Sequence, residues 1–342
     1  MNSPLPPKGI RGLPALEAPQ DVDPTPERRH RLLSLTGGGY RGLFTASTLA
    51  ALLEAHNIRA DASMAFDTFA GTSIGGLMAC ALAVGIPARR VMDTIERHGP
   101  EIFARTATSG LKRFASGPPF NAQVLRKAIV ECLDGHASTK LRAVERGVII
   151  PAVNWARAEV EIFMSGSVGG KYASDESLLD VCLATSAAPT YFQEHDIDGE
   201  AMLDGGLVAN NPDMLAITEL MRCHSPSIVT NLDVLSIGTA GPQKPRSADA
   251  VPQSKVDWAP HVADLIIDSQ ERLASLQARR LLEDHYLRLD YLPHAGEKGF
   301  GDLDQTDPKT TLALIRAGQR CAAEALRENA KQRLLSRLLA SR

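Results

Sequence analysis

The chain has 342 residues, 44% of them hydrophobic, enough to fill a large α/β core in one or two domains. Its net charge of −3 gives no bulk electrostatic case for DNA or RNA as a partner. Cys80, Cys132, Cys182, Cys223 and Cys321 are odd in number, scattered and free of any C-x-x-C, so a reduced, cytoplasmic setting without disulfides or zinc is expected.

The first 28 residues hold Pro4, Pro6, Pro7, Pro14, Pro19, Pro24 and Pro26 and lack an apolar core of signal-peptide length. They predict a proline-rich arm without helix. Arg31 to Thr36 reads as a strand, Gly37-Gly38-Gly39-Tyr40-Arg41-Gly42 as a loop, and Leu43 to about His56 as a helix. Three successive glycines leave backbone N–H groups unshielded, and the next helix adds its positive end, so the loop suits an anion. The same residues fit G-x-G-x-x-G, the dinucleotide fingerprint, which also wants an acidic residue at the end of the next strand. Asp61 has about that spacing but lies before the strand, so the loop reads better as an oxyanion hole.

Phe66 to Ala70 is a second short strand, followed by Gly71-Thr72-Ser73-Ile74-Gly75 and an apolar helical run from about Gly76. G-x-S-x-G between strand and helix is the form of a nucleophile elbow. Gly71 and Gly75 give room for the tight turn, and the Ser73 hydroxyl stands out at a helix N-terminus. The apolar stretch from Gly75 to Pro87 is too short for a membrane span and predicts a buried helix behind the serine.

A helix near Ala88 to His98 comes next, and residues 105 to 121 form a long loop of the kind that serves as a lid or substrate guide. Gly147 to Asn154 and Glu159 to Met164 are β-branched runs around a polar turn, a hairpin or adjacent strands. Ser177 to Ala187 is helical. Asp198 to Leu203 is a short strand that ends at Asp204-Gly205-Gly206, ahead of Asn210-Asn211-Pro212 and a helix from Asp213 to about His224. Leu232 to Gly238 is another buried strand. The strand–helix alternation over residues 31 to 86 implies right-handed crossovers and a mainly parallel sheet.

Beyond residue 240 the composition changes. Gly241 to Gln253 reads as a linker, and Val256 to Leu282 as a helix with Val262, Leu265, Ile266, Leu273 and Leu276 apolar. His285 to Tyr291 alternates like a strand or an edge strand, and Thr310 to Arg342 is helical with a bend near Gly318. Leu334, Leu335, Leu338 and Leu339, beside Lys331, Arg333, Arg337 and Arg342, make a basic amphipathic helix. Such a helix either touches anionic lipid or another subunit, or packs on the body with its charges solvated.

Asp-Gly-Gly alone is an ordinary turn. In series with the glycine loop and the serine elbow, it resembles the patatin-like phospholipases, whose signatures are G-G-G-x-R-G, G-x-S-x-G and D-G-[GA]. Gly37 to Gly42, Gly71 to Gly75 and Asp204 to Gly206 match in that order. Ala184-Thr185-Ser186-Ala187-Ala188-Pro189-Thr190-Tyr191-Phe192 is similar to the family's Ser-Ala-Ala-Pro-Thr-Tyr-Phe stretch. The resemblance covers about residues 30 to 240. It implies a three-layer α/β domain with a mainly parallel sheet over 29–240, between the proline-rich arm over 1–28 and the mainly helical extension over 241–342. It further implies a Ser73–Asp204 dyad with Asp204 as the base. Backbone N–H groups of Gly38, Gly39 and Tyr40, with Gly37, Arg41 and Gly42, would form the oxyanion hole, and Gly71, Gly75, Gly205 and Gly206 would support the dyad. The implied substrate is a fatty-acyl ester of a membrane phospholipid or lysophospholipid, cleaved at the inner face of the membrane without metal or cofactor.

The start Gly-Gly-Gly-Tyr-Arg-Gly-Leu-Phe-Thr-Ala and the helical extension are also similar to bacterial patatin-like effectors of anti-phage signalling. A cyclic dinucleotide activates those effectors, which implies such an activator here, acting through the 105–121 loop or through a homo-oligomer. Arg279 and Arg280, or Arg316 and Arg320, are either phosphate partners or solvated surface arginines. Two other readings stay open. One is a Ser-Asp-His hydrolase completed by His224, His261, His285 or His294; the other is a patatin-shaped binding protein without catalysis.

Overall fold

A computed structural model describes residues 28–58, 61–104, 120–241, 261–293 and 303–340, with 251, 254, 258, 297 and 300 between them. The proline-rich arm, most of the 105–121 loop and most of the 241–253 linker lie outside the described residues. In chain order the first elements are β1 (His30–Leu35), α1 (Gly42–Ala55), β2 (Thr68–Gly71), α2 (Ile74–Ala83), α3 (Ala88–Ile102) and α4 (Ala122–Cys132). Then come β3 (Gly147–Asn154), β4 (Glu159–Met164), one-turn α5 (Gly166–Gly169), α6 (Leu178–Thr185), β5 (His195–Ile197) and β6 (Glu200–Asp204). The chain continues through α7 (Gly206–Ala209), α8 (Asp213–Cys223), β7 (Leu232–Ile237), α9 (Val262–Leu282), β8 (Tyr286–Leu289), α10 (Pro308–Arg327) and α11 (Asn329–Leu338).

The strands form one sheet in the order β5-β6-β3-β2-β1-β7-β8, with β4 also paired to β3. β1, β2, β3, β7 and β8 run parallel; β4, β5 and β6 run antiparallel to their neighbours. Side chains alternate across the sheet, so Leu33 and Leu35 enter the core beneath α1, α2, α3, α6, α10 and α11. Leu32, with Val234 and Tyr286, enters a smaller core beneath α5, α8 and α9. Three layers follow directly. α2 is apolar all round and buried from Gly75 to Ala83, which is why its sequence resembles a short membrane segment. Among the described residues no helix is long and apolar enough to cross a membrane.

One detail of the sheet positions the site. β3 pairs with β4 along Ile149–Asn154, and its opposite edge is shared by two strands. β2 occupies the lower part, with Ala70 opposite Ile149, and β6 comes from the other end, with Asp204 opposite Ala152. The two strands therefore point at each other, and the residues that end them meet in the gap at Pro151.

The residues after 240 are woven into the same sheet. β8 continues it beside β7 from Val234↔Tyr286 to Ile237↔Leu289. α10 lies along α1 and runs unbroken through Gly318. A Cβ there would stand 2.7 Å from the Phe44 carbonyl and 2.8 Å from Ser47, so this glycine marks a helix crossing. The break falls at Glu328, where the backbone is extended. Nor does α11 offer its leucines to lipid or to a subunit. Leu334, Leu335, Leu338 and Leu339 are buried in the core with Leu314 and Ala325 of α10. Its charges stay at the surface, where Arg337 reaches Asp233 at 3.5 Å and Lys331 pairs with Glu328 at 2.6 Å.

Candidate active site

Ser73 sits between β2 and α2 with φ 54 and ψ −124, a conformation that non-glycine residues adopt at a cost. The turn is closed by Gly75 N–H to Thr72 O at 2.8 Å. A Cβ on Gly71 would stand 2.1 Å from Gly75 O, and one on Gly75 would stand 2.2 Å from Leu35 O, so neither position admits a side chain. The Asp204 carboxylate accepts Gly206 N–H at 2.7 Å, and the Ser73 side chain lies near enough to help hold its pKa down. Burial raises the Asp204 pKa to about 6, against the opposing pull of Gly206 N–H and Ser73. A buried carboxylate that is ionised near neutrality and lies beside a serine hydroxyl is suited to take that proton.

Thr185 ties the two halves together. Its hydroxyl donates to Pro151 O at 2.7 Å, in the gap between β2 and β6, and accepts Ser73 N–H at 3.1 Å. Two residues on, Ala187 O accepts Asp204 N–H at 3.0 Å. Gly205 fits against Pro151 O, where a Cβ would stand 2.3 Å away. The patatin-like stretch that contains Thr185 was thus visible in the sequence, but its role as a bridge was not.

The glycine loop straddles the elbow. A Cβ on Gly37 would stand 3.2 Å from Thr72 O, and one on Gly42 would stand 2.6 Å from Ile74, so its ends touch the residues on either side of Ser73. Gly37 N–H donates to Asn210 O at 3.0 Å, Arg41 N–H to Gly38 O at 3.1 Å, and Gly42 N–H to Gly39 O. Tyr40, expected as an oxyanion donor, instead gives its N–H to Leu303 O at 2.9 Å. Among the described residues the N–H groups of Gly38 and Gly39 have no acceptor, which leaves them available to an anion. Gly39 has φ +55 and lies under Leu303, so the loop needs glycine there for both reasons. Arg41 makes no hydrogen bond to Ser73 or Asp204. Burial lowers its pKa, and its charge neighbours are Glu271, Asp290, Asp268 and Asp264. Its Nε is sealed from solvent without a partner.

The histidines that follow Asp204 are elsewhere. His285 Nδ1 pairs with Asp233 at 2.6 Å, the His224 ring stands 5.8 Å from that of His30, and His261 is exposed at the start of α9. His294 lies outside the described residues.

The sequence model for the patatin-like phospholipases matches residues 33–217, a span that takes in the glycine loop, the elbow and Asp204-Gly205-Gly206. The chain belongs to the patatin-like phospholipase family. It is similar to a cGAMP-activated phospholipase of Escherichia coli, at 33% identity over 86% of this chain and 85% of that protein. A cGAMP-activated phospholipase of Pseudomonas aeruginosa is 31% identical over 87% of this chain and 89% of its own. One from Vibrio cholerae is 31% identical over 85% and 87%. The chain is accordingly a hydrolase, and a reading as a binding protein alone is set aside.

This patatin-like site is held from outside the matched span. Gln270 of α9 donates to Gly206 O at 3.0 Å and accepts Asn210 N–H at 3.2 Å. Asn210 Nδ2 donates to Gly37 O at 3.2 Å and also to Glu271, so one asparagine links α9, the Asp204 turn and the glycine loop. Burial raises the Glu271 pKa, opposed by Arg288 and Asn210. Arg288 of β8 donates to Thr36 Oγ1 at 2.7 Å, Ser236 Oγ at 2.9 Å and Asp290 at 2.9 Å. Burial works against its charge, yet Asp290 and Asp213 outweigh that and leave its pKa raised. Asn210 carried a faint signal as part of Asn-Asn-Pro after the Asp-Gly-Gly. Gln270, Arg288 and Leu303 carried none.

Proposed function

We propose that the chain is a phospholipase A-type acyl hydrolase with Ser73 as nucleophile and Asp204 as base. The observation behind this reading is the Ser73 side chain, held at a strained elbow beside the buried Asp204 carboxylate, with two glycine N–H groups in the adjoining loop that have no acceptor among the described residues. Asp204 accepts the Ser73 proton as Oγ attacks the acyl carbonyl carbon. The oxyanion accepts hydrogen bonds from Gly38 and Gly39 N–H, each worth about 3 kcal/mol in barrier by analogy with other acyl-transfer enzymes. When the intermediate collapses, the bond to the alcohol oxygen breaks and the proton on Asp204 passes to that oxygen. Water then attacks the acyl-serine, giving its proton to Asp204. The fatty acid leaves, and the proton returns to Ser73 Oγ.

The substrate is a membrane phospholipid or lysophospholipid, cleaved at a fatty-acyl ester on the cytoplasmic face of the membrane. The activator is a cyclic dinucleotide, in a bacterial defence against phage. The family and the names of the three bacterial relatives support both statements. A direct test follows lipid products from phospholipid vesicles across a panel of cyclic di- and trinucleotides. Fatty acid and lysophospholipid released with one nucleotide are the expected result. Released headgroup or phosphate would overturn the reaction class. Full activity that no nucleotide changes would remove the activator.

A further inference from the structure

α9 is amphipathic in the reverse of the usual sense for a surface helix. Its inner side is polar, with Gln270 and Glu271 in the hydrogen bonds to α7 and the Asn210 turn, and Ser275 accepting from Asn211 at 2.9 Å. Ala278 and Leu282 are its buried residues. Val262, Leu265, Ile266, Leu273 and Leu276 face solvent at 45%, 38%, 52%, 54% and 44% exposure. They recur at helical spacing and form one stripe. α7 adds Leu207 and Val208, 40% and 44% exposed, in the two positions after Gly206. The stripe therefore adjoins the turn that carries Asp204, and Gln270 fastens the two helices by bonding both Gly206 O and Leu207 O.

Charge along α9 is sorted as well. Asp264, Asp268 and Glu271 all lie in the field of Arg41. Arg272 and Arg280 are exposed, and neither makes an ion pair among the described residues. An outward apolar stripe with unpaired arginines beside it is the composition of a helix that lies in the headgroup layer of an anionic membrane.

We propose that the α9–α7 face seats this enzyme on a bilayer containing anionic phospholipid, with the Asp204 turn held against the membrane. The inference rests on the lipid-hydrolase reading. A second copy of the chain or a peptide on this face would cover Leu207 and Val208 and close the approach to Asp204 from that side. A bilayer there delivers the substrate.

The test compares the full chain with a form carrying Ile266→Gln, Leu273→Gln and Leu276→Gln, each in the Ser73→Ala background. Both are sedimented with phosphatidylethanolamine–phosphatidylglycerol vesicles and with phosphatidylcholine vesicles. The parent is expected to favour the anionic vesicles, and the triple variant to lose about tenfold or more in binding. With Ser73 restored, and the cyclic dinucleotide present, the triple variant should hydrolyse a soluble short-chain ester like the parent while losing activity on vesicles. Equal vesicle binding by parent and triple variant would overturn the proposal. So would a parent dimer, seen in analytical ultracentrifugation, that the triple substitution dissolves, because the face would then belong to a second copy. Either result with short-ester hydrolysis intact leaves the hydrolase reading standing. A parent that cleaves no ester overturns that reading, whatever the vesicles bind.

Discussion

Residues 31–209 supply the groups suited to react, and residues 261–303 supply much of what holds them still. In the first region, Ser73, Asp204 and the Gly38–Gly39 amides are set by turns and by strands that share an edge of β3. In the second, Gln270 and Leu303 bond the backbone of those turns from outside, while Glu271 and Arg288 hold the side chains of Asn210 and Thr36 beside them. Reactive groups are thus specified locally, and their geometry is specified at long range. The contrast has a measurable form: damage to the first region should remove chemistry while sparing the fold, and damage to the second should disturb both.

The largest effect is expected at the dyad. Ser73→Ala and Asp204→Asn should each lower kcat on a lipid ester by about 10³-fold or more, and the double variant should lose little beyond either one. Steady-state assays of all three decide this, and additive losses would show that the two residues do not act as a unit. Unfolding curves should find Ser73→Ala close to the parent in stability, since the Ser73 backbone N–H that bonds Thr185 is kept. Arg288→Met crosses into the second region. It leaves Asp290 and Asp213 without their cation, so a loss of about 3–5 kcal/mol in unfolding free energy is expected. At a temperature where that variant stays folded, activity should still fall, about tenfold to a hundredfold, because Thr36 is no longer anchored beside Gly37. Full activity in a folded Arg288→Met would break the comparison.

The pH dependence sharpens it. Asp204 acts as a base only when ionised, so activity should decline about tenfold per pH unit below its pKa of about 6. Stability runs the other way. The folded carboxyl holds its proton more tightly than the ordinary value of 3.8 would allow, so stability falls as pH rises from there to about 6 and stays lower above it. Asp204→Asn abolishes this dependence. It should be more stable than the parent by about 3 kcal/mol at pH 8, with the gain vanishing below pH 4. Chemical denaturation at the two pH values checks the sign, and a less stable Asn variant at pH 8 would contradict the buried-charge account.

Much of the first region could be read in the sequence. The runs Gly147–Asn154 and Glu159–Met164 are the strands observed, residue for residue, and the elbow lies between strand and helix as its glycines require. What the sequence leaves silent is which surfaces meet. α9 and α11 both carry apolar residues at helical spacing with arginines alongside, yet α11 buries Leu335 and Leu338 while α9 exposes Ile266 and Leu273. Periodicity announces an apolar face without naming what covers it. Gly318 reads as a bend because glycine weakens a helix, but its missing Cβ serves the close crossing of α1. Tyr40 N–H looked free in a glycine loop until Leu303, far along the chain, took it. Thr185 and Gln270 are polar residues in helices, and only the fold sets one against Ser73 and the other against Gly206.

The smallest predicted effect isolates that long-range grip. Gln270→Ala removes a donor to Gly206 O and an acceptor for Asn210 N–H, each worth about 1 kcal/mol net. The loss should lower kcat on a soluble ester only several-fold, with a modest fall in stability. A purely structural glutamine would stop there. If Gln270 positions the Asp204 turn, its loss also loosens Gly206 N–H, which now holds the Asp204 pKa down. The acid limb of the rate profile should then move to higher pH. Gln270→Glu separates the two bonds, because a carboxylate still accepts from Asn210 but cannot donate to Gly206 O. An acid limb shifted in both variants would place the positioning in the bond to Gly206, whereas an unmoved limb in both would reduce Gln270 to packing and leave the geometry of the base to the first region alone.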